Sequence, residues 1–202
     1  MPDAAVLSDG DLPALICAWL AAEQGPTLVM PAAPAGGLPH PARRAVEAAA
    51  DLLGAELLEA PPLTAEAGPS ALLLTAAAAA TGTGARRLLW PVVGENLTDM
   101  AREADRALLV SRLVALDARP AGEAALEIEA PLLDLTDSQI AEMALDLDVP
   151  IWRCWWWQAL REPDKLEQPI REAAEARRDR WTTALRACGW TEATEHASIP
   201  SG

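Results

Sequence analysis

The residues best placed to do chemistry stand at one junction. An apolar run, Ala4-Ala5-Val6-Leu7, ends at Ser8-Asp9-Gly10-Asp11, and a helical pattern begins at Leu12. In open parallel α/β sheets ligands bind beyond the carboxyl ends of the strands, and a helix N-terminus offers unpaired N–H groups to an anion. The place therefore suits a phosphate-binding loop, but the residue types do not. Asp9 and Asp11 put two carboxylates where phosphate would dock, and a like-charge contact near 4 Å costs about 1 kcal/mol even at bulk-water dielectric. Pro13 removes one N–H from the first helical turn. Asp11 is expected instead to cap the helix, a position that favours Asp.

A second group is Trp152, Trp155, Trp156 and Trp157, four indoles in six residues. Trp is enriched at binding hot spots, and a turn or strand cannot point all four into one core. Two readings stay open: a patch for a protein partner, or core filling with one or two rings exposed. The three cysteines, Cys17, Cys154 and Cys188, are an odd number with no short spacing. They suggest neither a disulfide framework nor a closed zinc site. His40, between two prolines, and His196, near the end, read as surface residues.

The elements that hold these groups alternate. Leu12, Leu15, Ile16, Trp19 and Leu20 recur on one helical face, and Gly25-Pro26 ends it. Thr27–Met30 reads as a strand, then a Pro/Gly-rich loop runs to Pro41. A helix follows with Ala45, Val46, Ala49, Leu52 and Leu53 inward, closed by Gly54. Glu56–Leu58 is a short strand candidate, and Ser70 is a candidate cap for an alanine-rich helix. Arg87–Val93 is the most continuous apolar strand. Thr98 is a candidate cap for a long helix to about Leu116, and Leu126–Ala130 alternates as a half-buried strand. Thr136 and Gln139 have capping-box spacing, with Leu135 and Ile140 placed as a hydrophobic staple. This alternation predicts a doubly wound α/β fold with a mostly parallel five-stranded sheet over residues 1–150. Residues 151–190 are expected to form a Trp-rich turn and a C-terminal helix packed on it, and 191–202 a flexible tail.

Composition narrows the partners. The net charge is −14, half of the residues are hydrophobic, Phe and Tyr are absent, and eight Trp carry the aromatic load. So acidic a surface repels phosphate backbones and anionic lipid, which argues against nucleic-acid and membrane binding. The N-terminus shows no signal-peptide pattern, and Ala71–Ala85 is too interrupted to span a bilayer. The expectation is a cytoplasmic protein.

The order of elements and several phrases resemble 7-cyano-7-deazaguanine synthase, a family of PP-loop ATP pyrophosphatases with an adenine-nucleotide α-hydrolase-like fold. The resemblance spans roughly Ala4 to Gly189. Its strongest phrase is Ile128-Glu129-Ala130-Pro131-Leu132-Leu133-Asp134-Leu135-Thr136, against "IETPLIDLS". Val149-Pro150 and the small-residue helix before Gly84-Ala85 also match. The resemblance implies an S-G-G-x-D-S phosphate loop where this chain reads Ser8-Asp9-Gly10-Asp11-Leu12-Pro13. It also implies a zinc site, but the ungapped match puts Trp157 on the first cysteine, and no cysteine stands near Glu172, Glu175 and Arg178 where the others belong. A pocket phrase like Y-P-D-C-R is reduced here to Leu97-Thr98-Asp99-Met100-Ala101, leaving Glu95 and Asp99 as candidate pocket residues. Neither ATP nor zinc is therefore expected as a cofactor.

Three readings follow. The first, which we adopt as the expectation, is a catalytically inactive paralogue with a binding or scaffolding role. It accounts for loop, zinc cysteines and pocket phrase being lost together while caps and periodicity persist. The second is a residual ATP-dependent synthase in queuosine or deazapurine biosynthesis. The third is a protein–protein interaction module using the Trp patch. The family's tendency to dimerise implies a homodimer as one occupant of that patch.

Overall fold

The computed structural model describes residues 2–32, 37–59, 67–117 and 125–191. Five strands, β1 (Ala4–Ser8), β2 (Thr27–Pro31), β3 (Glu56–Leu57), β4 (Arg87–Leu89) and β5 (Glu127–Glu129), form one sheet in the order β3-β2-β1-β4-β5. All four pairings are parallel. Seven α-helices accompany them: α1 (Leu12–Gln24), α2 (His40–Leu53), α3 (Pro69–Thr83), α4 (Leu97–Asp117), α5 (Asp137–Asp146), α6 (Trp155–Ala159) and α7 (Gln168–Ala187). The fold is α/β and doubly wound.

Strand alternation builds two cores. Ala4, Val6, Val29 and Leu89 face one side with residues of α1, α2, α5, α6 and α7. Ala5, Leu7, Leu28, Met30 and Leu88 face the other with α3 and α4. A strand buried on both faces reads as a continuous apolar run, which is why Ala4–Leu7 shows no polar alternation. The C-terminal segment belongs to the first core. Trp156, Trp181 and Leu185 are fully buried in the cluster that holds Val6 and Leu12.

Several boundaries differ from expectation. β4 stops at Leu89 because Pro91 has no N–H to continue the ladder, although Trp90 N still donates to Glu129 O at 2.8 Å. The cap of α4 is Asn96, not Thr98. Its Oδ1 accepts from the N–H groups of Thr98 at 3.0 Å and Asp99 at 3.1 Å. Ser70 does not cap α3, which starts one residue earlier at Pro69 after Gly68 and has no side-chain cap. The Trp-rich segment is helical rather than a turn, with a 3-10 turn at Ile151–Arg153 followed by α6. The capping box at Thr136 and Gln139 forms with both reciprocal hydrogen bonds. Of the expected tail, Thr191 is exposed and residues 192–202 lie outside the described residues.

Candidate functional site

β1 is central, and the strand order reverses between it and β4, so the crevice at their carboxyl ends is where this fold places a ligand. Ser8-Asp9-Gly10-Asp11 occupies that point. Three successive backbone N–H groups, the donors a phosphate would use, are already engaged by the loop itself. Gly10 N donates to Ser8 Oγ at 3.3 Å, Asp11 N to Asp9 Oδ1 at 3.0 Å and Leu12 N to Asp11 Oδ1 at 2.8 Å. Asp11 is the N-cap of α1, as expected. A capping carboxylate usually accepts from the second or third helical residue. The second here is Pro13, and Asp11 accepts from the first.

The loop is also closed from outside. Asp11 is buried, with a relative exposure of 2 %. Its Oδ1 accepts from Trp156 Nε1 at 2.8 Å, and its Oδ2 faces Arg177 Nη1 at 3.4 Å. Trp155 N donates to Gly10 O at 2.9 Å. Gly10 has φ +79°, and a Cβ there would meet Ala42 O at 3.0 Å, Ala45 Cβ at 3.1 Å and Trp155 Cβ at 3.4 Å. Only glycine suits both that backbone and that space. Loss of hydration, and next the neighbouring Asp11 carboxylate, push the Asp9 carboxyl up to about 6.

Helix α7 supplies the counter-charge. Arg180 binds Asp137 with two hydrogen bonds, Nε to Oδ2 at 2.8 Å and Nη2 to Oδ1 at 2.6 Å, and its guanidinium lies 4.7 Å from the Trp181 ring centre. Hydrogen bonding to Asp137 raises the Arg180 pKa, burial opposes this, and the Asp137, Asp11 and Glu95 carboxylates add attraction. Asp99 is committed elsewhere, accepting from Asn96 Nδ2 at 2.6 Å and Arg102 Nη2 at 2.5 Å near the start of α4. The structure puts Asp9 and Asp11 together at the end of β1, engages Asp99 locally, and leaves Glu95 exposed just before α4. Sequence reasoning missed Arg177 and Arg180, because no local signal says which distant strand end a helix face will cover.

The four Trp side chains of the Trp-rich segment divide between the core and its edge. Trp155 and Trp156 are buried, at 9 % and 0 % exposure, and Trp152 and Trp157 are half-buried. A helical turn lets consecutive side chains point in different directions, and α6 lies against both the loop and α7. Trp157 stacks edge-on with Trp156 and with Trp190, each at 5.9 Å between ring centres. The large exposed apolar side chains instead include Leu109, Leu113 and Leu116, one stripe along α4.

At the positions matched to zinc ligands, Glu172 and Glu175 are exposed on α7 and Trp157 packs on its neighbours. Among the described residues no three His, Cys, Asp or Glu side chains converge on a metal-sized site. Cys17 and Cys154 are buried and Cys188 is half-buried. Burial, with the Asp9 and Glu129 carboxylates, pushes the Cys17 thiol up, away from the nucleophilic thiolate. No described helix is long and apolar enough to cross a membrane.

No family model matches the chain, and no curated protein sequence matches it. Among solved structures it is similar to the U34-tRNA thiolase NcsA from Methanococcus maripaludis with its 4Fe-4S cluster. Identity is 12 %, the TM-score is 0.44, and the match covers 98 % of this chain and 76 % of that one. The fold assignment stands on strand order and pairing.

Proposed function

We propose that this chain is a non-catalytic binding or scaffolding protein, built on a nucleotide-hydrolase-like α/β frame whose phosphate loop has become a structural clasp. One observation carries the reading. The three N–H groups that would cradle phosphate at the end of β1 are taken by Ser8, Asp9 and Asp11. A phosphate would have to displace two carboxylates from their own donors and approach them against like charge. One carboxylate, Asp11, is further held by Trp156 and Arg177. Neither ATP nor zinc is proposed as a cofactor. Mg²⁺ bridging through Asp11 to ATP would compete with Leu12 N, Trp156 and Arg177 for its two oxygens.

The test is turnover. The full chain is incubated with ATP and Mg²⁺, with and without the carboxylated deazapurine precursor and ammonia, and AMP and pyrophosphate are quantified. The expected result is no product above the protein-free control. AMP and pyrophosphate formed in proportion to protein would overturn the proposal and support the residual-synthase reading.

A further inference from the structure

The chain is strongly acidic, yet one cleft gathers cations. It has a volume of about 1050 Å³ and lies where the start of α2 meets the 3-10 turn, α6 and the segment entering α7. Arg44, Arg153, Arg161 and Lys165 line it, against two carboxylates, Glu162 and Glu167. Glu162 holds Lys165 at 3.0 Å. Among the described residues, no carboxylate lies within ion-pair distance of Arg44, Arg153 or Arg161. Seven other described arginines hold a carboxylate, so three without one around a single cleft form a local positive field in a negative molecule.

Arg153 is the sharpest sign. It lines the cleft, and its Nε is buried without a hydrogen-bond partner among the described residues. A buried donor left unsatisfied is costly, so the Arg153 head is not fully engaged by the fold, and an oxyanion in the cleft would bind this guanidinium with charge-assisted hydrogen bonds. Two long helices also begin at this wall. Neither α2 nor α7 has a side-chain cap or an acidic residue in its first turn. His40 from the first and Ile170 from the second line the cleft. The positive end of α2 adds to the same field, whereas Glu167, the N-cap residue of α7, offsets that of the second helix. The lining also has an apolar part, to which the half-buried Trp152, Leu166 and Ile170 contribute.

We propose that this cleft binds a small organic phosphate bearing a planar ring, with the phosphate on Arg44, Arg153 and Arg161 and the ring against Trp152. Guanidinium groups match phosphate geometry, and an indole offers a flat apolar face. The overall negative charge disfavours a nucleic acid as the occupant. The site is separate from the β1 loop. Ala42 and Ala45 of α2 pack on Gly10, while Pro41 and Arg44 line the cleft. The proposal therefore does not rest on the loop being inactive.

Phenyl phosphate and inorganic phosphate are titrated into the full chain by calorimetry at low salt. Phenyl phosphate is expected to bind one-to-one and more tightly than inorganic phosphate. Its affinity is expected to fall about tenfold in Arg44→Gln and in Arg153→Gln. Trp152→Leu is expected to erase the preference for phenyl phosphate. Arg43→Gln removes an equal charge from α2, at a residue already paired with Glu47 and Glu59, and is expected to leave affinity unchanged. No binding of phenyl phosphate to the wild type would overturn the proposal, as would a loss in Arg43→Gln matching that in Arg44→Gln. Equal affinity of the wild type for both probes would overturn the assignment of the ring to Trp152. Arg44 is exposed, so its variant keeps the test readable if Arg153→Gln unfolds.

Discussion

The indole N–H of Trp156 donates to the carboxylate of Asp11 at 2.8 Å, across 145 residues of chain, with both side chains buried. This contact fastens the C-terminal segment to the loop after β1. A buried carboxylate needs its partners, so removing one side of the contact costs more than the intact contact contributes.

Trp156→Phe keeps most of the packing volume and deletes the donor. We expect a loss of about 2 kcal/mol in unfolding free energy, the penalty for leaving a buried charged acceptor short of a hydrogen bond. Urea unfolding followed by circular dichroism measures it. In a double-mutant cycle with Asp11→Asn, a coupling energy near zero would show that the two groups do not support each other.

Asp9 gives a pH dependence with a defined sign. Its folded pKa of about 6 lies above the ordinary carboxylate value of 3.8, so between these values the folded state binds more protons than the unfolded state. Stability from this group therefore falls as pH rises from about 4 to 6 and is flat above. Asp9→Asn keeps the acceptor for Asp11 N and removes the charge. It should match wild type below about pH 4 and exceed it by on the order of 1 kcal/mol above pH 6. Unfolding curves from pH 3.5 to 8 test this, and a constant difference across that range would contradict it.

Gly10→Ala should destabilise by about 2 kcal/mol, from a left-handed backbone and a Cβ crowded by Ala42, Ala45 and Trp155. Thermal unfolding is the measurement. Gly54→Ala is the comparison, since Gly54 also has φ +61° but nothing within 4 Å of its added Cβ. The variant at Gly10 is expected to lose more.

Restoring the resembled family's loop by Leu12→Asp should fail. Leu12 is fully buried in the core that holds Val6 and Trp156, so the substitution places a carboxylate among apolar side chains and costs about 3–5 kcal/mol. A soluble variant with wild-type unfolding midpoint would show that the side chain escapes the core.

The α/β alternation was legible because strand and helix leave different local periods. The Thr136–Gln139 box and the Asp11 cap were legible because capping acts within a few residues. The caps of α3 and α4 each lie two residues before the expected ones: Asn96 outcompetes Thr98 for the free N–H groups, and α3 starts after Gly68 with no side-chain cap. The Trp-rich segment left two readings open for a related reason. Consecutive Trp residues suggest a surface patch only if the backbone is extended or turning, and α6 turns two of the rings inward.

By itself the sequence determined the order of strands and helices, the acidic balance, and a loop after β1 that carries carboxylates where phosphate donors would be needed. Only the tertiary structure decided what those carboxylates do. Asp11 meets Trp156, Arg177 comes from α7, and Arg44 of α2 joins Arg153 and Arg161 around one cleft. Each pairing joins residues over a hundred positions apart. Hydrophobic burial of α6 against α2 and of α7 against α5 and α6 creates them, and no periodicity or capping rule along the chain encodes such a contact.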